Sequence, residues 1–269
     1  MKSFSRFNIA SLIIGYAFLY IPIFTVIIFS FNESKLVTTW SRFSTKWYSS
    51  LWDNEGLLGA ILASIEIATV SASVAVVLGT LAAIVMVRFG SFKGRTLFSG
   101  LVSAPLIMPD IITGLAMLML FVATQQFIGW PAHRGMLTIS LAHITLATAY
   151  VYLVVQARLQ DFDPSIEEAA LDLGAKPAKV FMLITLPIIS PSLVSGWLLA
   201  FALSLDDLVI ASFLSGPGVT TLPMLIFSSI RLGLNPEVNA LASILVGIVS
   251  VVVLMAGVVI HRQQKNKNR

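Results

Sequence analysis

The chain has no cysteine, which excludes disulfides, thiol nucleophiles and cysteine-ligated metals. Charge is scarce as well. Only 11 % of the 269 residues are Asp, Glu, Lys or Arg, against about 25 % in an ordinary soluble domain. No GxxxxGK[ST] phosphate loop is present, so the chain cannot bind ATP in that manner. There is no HExxH pattern, no convincing nucleophile–base constellation, no internal repeat and no low-complexity tract. The basic residues are dispersed through short segments and the net charge is only +4, which leaves no nucleic-acid surface and assigns Lys and Arg to topology instead.

What fills the chain is apolar sequence: 57 % hydrophobic residues and a mean hydropathy of +0.91. Hydropathy predicts an all-α integral membrane domain with six spans, at about 9–31, 59–87, 97–122, 136–155, 188–208 and 239–260. The first apolar run is too long for a signal-peptide core and lacks a small-x-small cleavage site, so it reads as a spanning helix. A shorter stretch, about 222–230 before the Leu234-Asn235-Pro236 turn, is too short to cross and is expected to be re-entrant or interfacial. Pro105 and Pro109 fall inside the third span and predict a kink there. With the N-terminus placed in the cytoplasm, twelve of the 17 Lys and Arg fall inside and five outside. The asymmetry favours both termini inside. The first outer loop, 32–58, carries Trp40, Trp47, Tyr48 and Trp52. They suit an aromatic belt at headgroup level or, alternatively, a docking surface for an extracytoplasmic partner.

Residues 156–187 differ from the rest, with eight charged side chains in a short cytoplasmic loop. Asp163 with Pro164, or Ser165 with Glu168, can start a helix. Gly174 can end it in the left-handed conformation, and Lys176-Pro177 can open the next. An amphipathic connector would use such residues for capping alone. The full pattern is more specific: Glu167-Glu168-Ala169-Ala170, then Gly174, then Ile184, Leu186 and Pro187. It resembles the EAA loop of bacterial ABC importer permeases, the segment that grips the cytoplasmic ATPase. Ala104-Pro105-Leu106-Ile107-Met108-Pro109-Asp110, Asp206-Asp207 and Thr220-Thr221-Leu222-Pro223 extend the similarity to the polyamine branch, closest to the second permease subunit of putrescine/spermidine importers.

The resemblance implies a type I importer permease fold in a bacterial inner membrane. It implies a second permease subunit, an ATPase dimer that holds ATP and Mg²⁺ in place of any cofactor in this chain, a periplasmic polyamine-binding protein, and a polyamine as cargo. Glu167, Glu168, Ala169, Ala170, Gly174, Leu186 and Pro187 then become the coupling residues.

Four acids lie in or at the ends of the spans: Glu66, Asp110, Asp206 and Asp207. Intramembrane carboxylates are costly and point to function, and no Lys or Arg lies in the span interiors to pair with them. An acidic, low-dielectric vestibule would attract an organic cation. The same acids would serve a proton-coupled secondary transporter, the competing reading. Adjacent Asp206 and Asp207 differ by about 100° on a helix, so one can face the path while the other caps. His143 is expected to be a packed polar residue.

Overall fold

The computed structural model describes residues 6–35, 39–232 and 236–267. The turn expected at 234–236 therefore lies largely outside the described residues. Two compact units are present, residues 1–58 with 226–269, and residues 59–225. Among the described residues all regular structure is helical apart from one isolated bridge, Asn32 with Phe43.

In the first unit α1 (Arg6–Ser30) and α2 (Lys46–Asp53) both pack on α11 (Pro236–Lys267). The segment joining α1 to α2 is folded around one buried amide. Asn32 donates Nδ2–H to the Thr39 carbonyl at 2.8 Å and accepts the Ser41 N–H at 3.0 Å, while its own carbonyl accepts Trp47 Nε1–H at 2.7 Å. This corrects part of the belt expectation. Trp40 and Trp52 are exposed, but Trp47 turns inward because its indole N–H has a partner there.

The second unit is built on α6 (Met136–Gln160), which is buried along most of its length. Against it lies α3 (Glu55–Arg88), presenting Ala68, Ala72, Ala75, Gly79, Ala82, Ala83 and Met86. That spacing is one helical face, of small residues as far as Ala83, the composition that lets helix backbones approach closely in a bilayer. A Cβ on Gly79 would stand 2.8 Å from Val151 Cβ and 2.9 Å from the Tyr152 backbone nitrogen. From the other side a Cβ on Gly196 would stand 3.4 Å from Val151 Cγ1. Val151 is thus the point where α3, α6 and α9 (Leu186–Asp206) converge.

The third span departs from the expectation of one kinked helix over 97–122. The structure has two helices, α4 (Arg95–Ile107) and α5 (Asp110–Ile128), separated at Met108-Pro109. The reason is steric. A residue before proline avoids the α region, and Met108 is extended at φ −78°, ψ 132°. Pro109 has no N–H to continue α4 and instead caps α5, its carbonyl accepting the Ile112 and Thr113 N–H groups at 2.9 and 3.0 Å. Thirteen residues of α4 reach about 20 Å, less than a bilayer core. Among the described residues, five helices are long and apolar enough to cross: Phe7–Ser30, Glu55–Arg88, Asp110–Ile128, Met136–Gln160 and Pro177–Asp206.

The last of these is not uniform. Pro177 opens α8 (Pro177–Val180), a π turn follows at Phe181–Thr185, and α9 continues. Leu186 N–H reaches back five residues to the Phe181 carbonyl. Pro187 next to it has no N–H to give, and Pro191 leaves the Pro187 carbonyl without its helical donor. The Ser190 hydroxyl fills that place at 2.8 Å.

Candidate functional site

The 156–187 segment is mostly helical, and α7 (Ser165–Asp172) is its exposed centre. Asp163 starts it. Its Oδ1 accepts the Ser165 N–H at 2.9 Å, and this backbone bond, then the Ser165 hydroxyl, hold the Asp163 carboxyl below its ordinary value. The end of α7 is a Schellman turn. Ala175 N–H bonds the Ala170 carbonyl at 3.1 Å and Gly174 N–H bonds the Leu171 carbonyl at 2.8 Å, with Gly174 at φ +85°. Glu168, Ala169 and Gly174 are exposed, and Leu173 is 89 % exposed. An apolar tip of that kind at a rigid elbow fits insertion into another protein's cleft. Ala170 is half-buried, as is Leu186, while Pro187 is exposed at the start of α9.

Glu167 behaves differently from its neighbour Glu168. It turns inward, 18 % exposed, with Oε2 3.1 Å from Arg88 Nη2 and Oε1 accepting the Thr185 hydroxyl at 2.5 Å. The Arg88 guanidinium also lies over the Phe162 ring at 5.3 Å. Beside this cluster is a cavity of about 260 Å³ walled by Ile84, Leu159, Leu171 and Val180 among others.

The four acids lie toward the other end of the second unit. There Ile67, Phe121, Ile139, Ala142, Ile210, Ala211 and Leu214 form one buried apolar cluster. Glu66 adjoins Ile67 on α3. Asp110 begins α5, one turn before Gly114, whose missing Cβ admits Phe213 of α10 (Val209–Leu214). Asp206 and Asp207 precede α10. Glu66, Asp110 and Asp206 are all exposed on this chain, and among the described residues no ion pair neutralises them.

Asp207 is the exception. Its side chain is 8 % exposed; Oδ2 lies 3.1 Å from His143 Nε2 and accepts the Ala211 N–H at 2.7 Å, while Oδ1 accepts the Ile210 N–H at 3.3 Å. His143 Nδ1 is 2.7 Å from Ser204 Oγ. Asp207 therefore caps α10 and braces α6. His143 is the packed polar residue expected of it, and its partner Ser204, like Arg88 and Thr185 beside Glu167, belongs to no local motif. Only Arg88, a cation closing a long apolar run, carried a visible signal.

The family model for the binding-protein-dependent transport system inner membrane component matches residues 75–267. The chain belongs to this family. It is accordingly a multi-pass inner membrane subunit of a transport system, and the solitary proton-coupled transporter is set aside. It is 56 % identical over 265 residues to the putrescine transport system permease protein PotI of Escherichia coli (strain K12), covering 98 % of this chain and 94 % of that one. To the spermidine/putrescine transport system permease protein PotC of the same strain it is 39 % identical, covering 94 % and 93 %. Among solved structures, a bacterial ABC transporter involved in the import of the acidic polysaccharide alginate superposes with a TM-score of 0.70 at 16 % identity, covering 96 % of this chain and 98 % of that one. The MetNI methionine ABC transporter gives 0.60 at 19 % identity, covering 77 % and 94 %. These structures share the permease fold with this inner membrane component.

Proposed function

We propose that this chain is one of two permease subunits in an ATP-driven importer of a polyamine, with putrescine the foremost candidate. The observation that carries the reading is the 56 % identity to a putrescine permease along nearly the whole chain; the relative handling spermidine as well is more distant. In this reading the chain crosses six times with both termini in the cytoplasm. An ATPase dimer, which binds ATP and Mg²⁺, docks on α7 through Glu168, Ala169, Ala170 and the Gly174 elbow. A periplasmic binding protein releases the cation on the opposite side, where Glu66, Asp110 and Asp206 face away from this chain's core and toward a path shared with the second permease. ATP-driven closure of the ATPases brings the elbows together and opens the outer side; hydrolysis resets the inward-facing state.

Two changes test it. Gly174→Leu places a side chain at φ +85°, at a cost of roughly 1–2 kcal/mol at the elbow. The protein is expected to insert normally yet lose the co-purifying ATPase and putrescine uptake; normal uptake refutes the docking role. Asp110→Asn with Asp206→Asn is expected to abolish putrescine uptake with the complex intact. Unchanged uptake removes these acids from the path.

A further inference from the structure

Arg88 belongs to no motif that the docking or the cargo requires, yet it meets the α7 elbow from inside. We propose that Arg88 is a coupling residue: its ion pair with Glu167, closed by Thr185, is the strut that transmits movement of α7 to the two long helices that carry exposed acids far from it. The inference rests on α7 being the ATPase docking element.

Helix α7 is two turns long and contains no buried residue, so apolar packing holds it weakly. Its attachment is concentrated in one inward carboxylate. Oε2 of Glu167 faces Arg88, the last residue of α3, at 3.1 Å, and Oε1 takes the hydroxyl of Thr185, the last residue before α9, at 2.5 Å. One side chain thus ties the elbow to both helices at once. From Arg88 to Glu66 along α3 is about 33 Å, and from Thr185 to Asp206 along α9 about 32 Å. Between these ends both helices press on Val151, through Gly79 and Gly196. A pin at one end, a close contact further along and a carboxylate beyond that contact make each helix a lever on the same bearing. Close-packed interfaces of this kind shift as units.

The contact is electrostatic in character. Arg88 Nη2 makes no aligned hydrogen bond, although it lies within ion-pair distance of Glu167. Restoring opposite charges should therefore restore function even with the residues exchanged.

The test uses the complete importer, both permeases and the ATPase, in proteoliposomes with the binding protein. Arg88→Glu, Glu167→Gln and the exchange Arg88→Glu with Glu167→Arg are compared for ATPase retention, ATP hydrolysis and putrescine taken up per ATP. The single variants are expected to retain the ATPase and hydrolyse ATP, with uptake per ATP falling about tenfold, and the exchange to recover most of that loss. Glu167→Gln keeps size and the Thr185 bond, so it serves where charge reversal prevents insertion. Unchanged uptake per ATP in the single variants overturns the strut, as does a loss that the exchange leaves uncorrected or one that merely follows loss of the ATPase. Gly174→Leu separates the two levels: if it keeps the ATPase, the docking reading falls and the strut with it. If it loses the ATPase while the Arg88 and Glu167 variants stay coupled, only the strut falls.

Discussion

Replacing Gly79 by alanine is the sharpest probe of the packing that this fold relies on. The added methyl carbon would meet Val151 Cβ and Cγ1 at 2.8 Å each and the Tyr152 nitrogen at 2.9 Å. Carbon atoms in favourable contact stand about 3.5–4.0 Å apart, so α3 and α6 must part by roughly an ångström. No rotamer relieves this, because two of the three obstructing atoms are a Cβ and a backbone nitrogen. Val151 cannot retreat freely either, since Gly196 closes its other side. Overpacking of this kind costs about 1–3 kcal/mol, and for a chain of this size each kcal/mol lowers the melting temperature by about 2–4 °C. The purified protein in detergent, followed by thermal unfolding of its tryptophan fluorescence, should melt several degrees below wild type. Val151→Ala removes only Cγ1 from the clash, so the double variant should recover part of the loss. A Gly79→Ala protein that melts like wild type refutes the close-contact reasoning.

The adjacent acids should separate cleanly. Asp206→Asn is expected to reduce uptake with an unchanged melt, whereas Asp207→Asn should destabilise the protein by about 1–3 kcal/mol, because the buried partners His143 and Ala211 N–H lose a charged acceptor. Asn32→Ala, which empties the hub of the α1–α2 segment, should cost at least about 1–3 kcal/mol and raise protease sensitivity between residues 30 and 46. At α7, the Asp163 carboxyl has its value lowered from 3.8 in the folded protein. Its contribution is therefore full above that pH and is lost as pH falls through the lowered value. A spin label at Ile166 should keep constant mobility from pH 8 to 5 and loosen only in stronger acid; loosening near neutrality would contradict the assignment.

Much of the helical layout was legible because hydropathy reports burial in lipid directly. The elbow was legible for a different reason: Asp163, Gly174 and Pro177 act locally, and each has one dominant backbone preference. The break at Met108 was half legible. Two prolines announced a distortion, but whether a proline kinks a helix or ends it depends on Met108, which went extended. Direction along a helix was the hardest to read. Glu167 and Glu168 are chemically alike and adjacent, and distant partners, Arg88 79 residues earlier and Thr185 in the turn before α9, draw Glu167 inward. Asp206 and Asp207 present the same difficulty, resolved by His143. Such choices are made by tertiary partners, which a linear pattern does not contain.

The π turn at Phe181–Thr185 carries one more consequence, that of phase. In an unbroken α-helix five residues advance about 500°, so Val180 and Thr185 would point about 140° apart. Both are buried in the structure, because the wider turn absorbs one residue and brings them onto the same side. Ile189, Gly196 and Ala200 then follow Thr185 at ordinary helical spacing and meet the core. The wider turn thus works as a vernier between the elbow and the span. Inserting one further residue between 181 and 185 would leave the hydropathy of the segment almost unchanged, yet rotate everything on one side of it by about 100°, whereas removing one would turn the wide turn into plain α-helix with both faces still aligned. With that added residue, Thr185 would swing off Glu167 or the α9 face would swing off Val151.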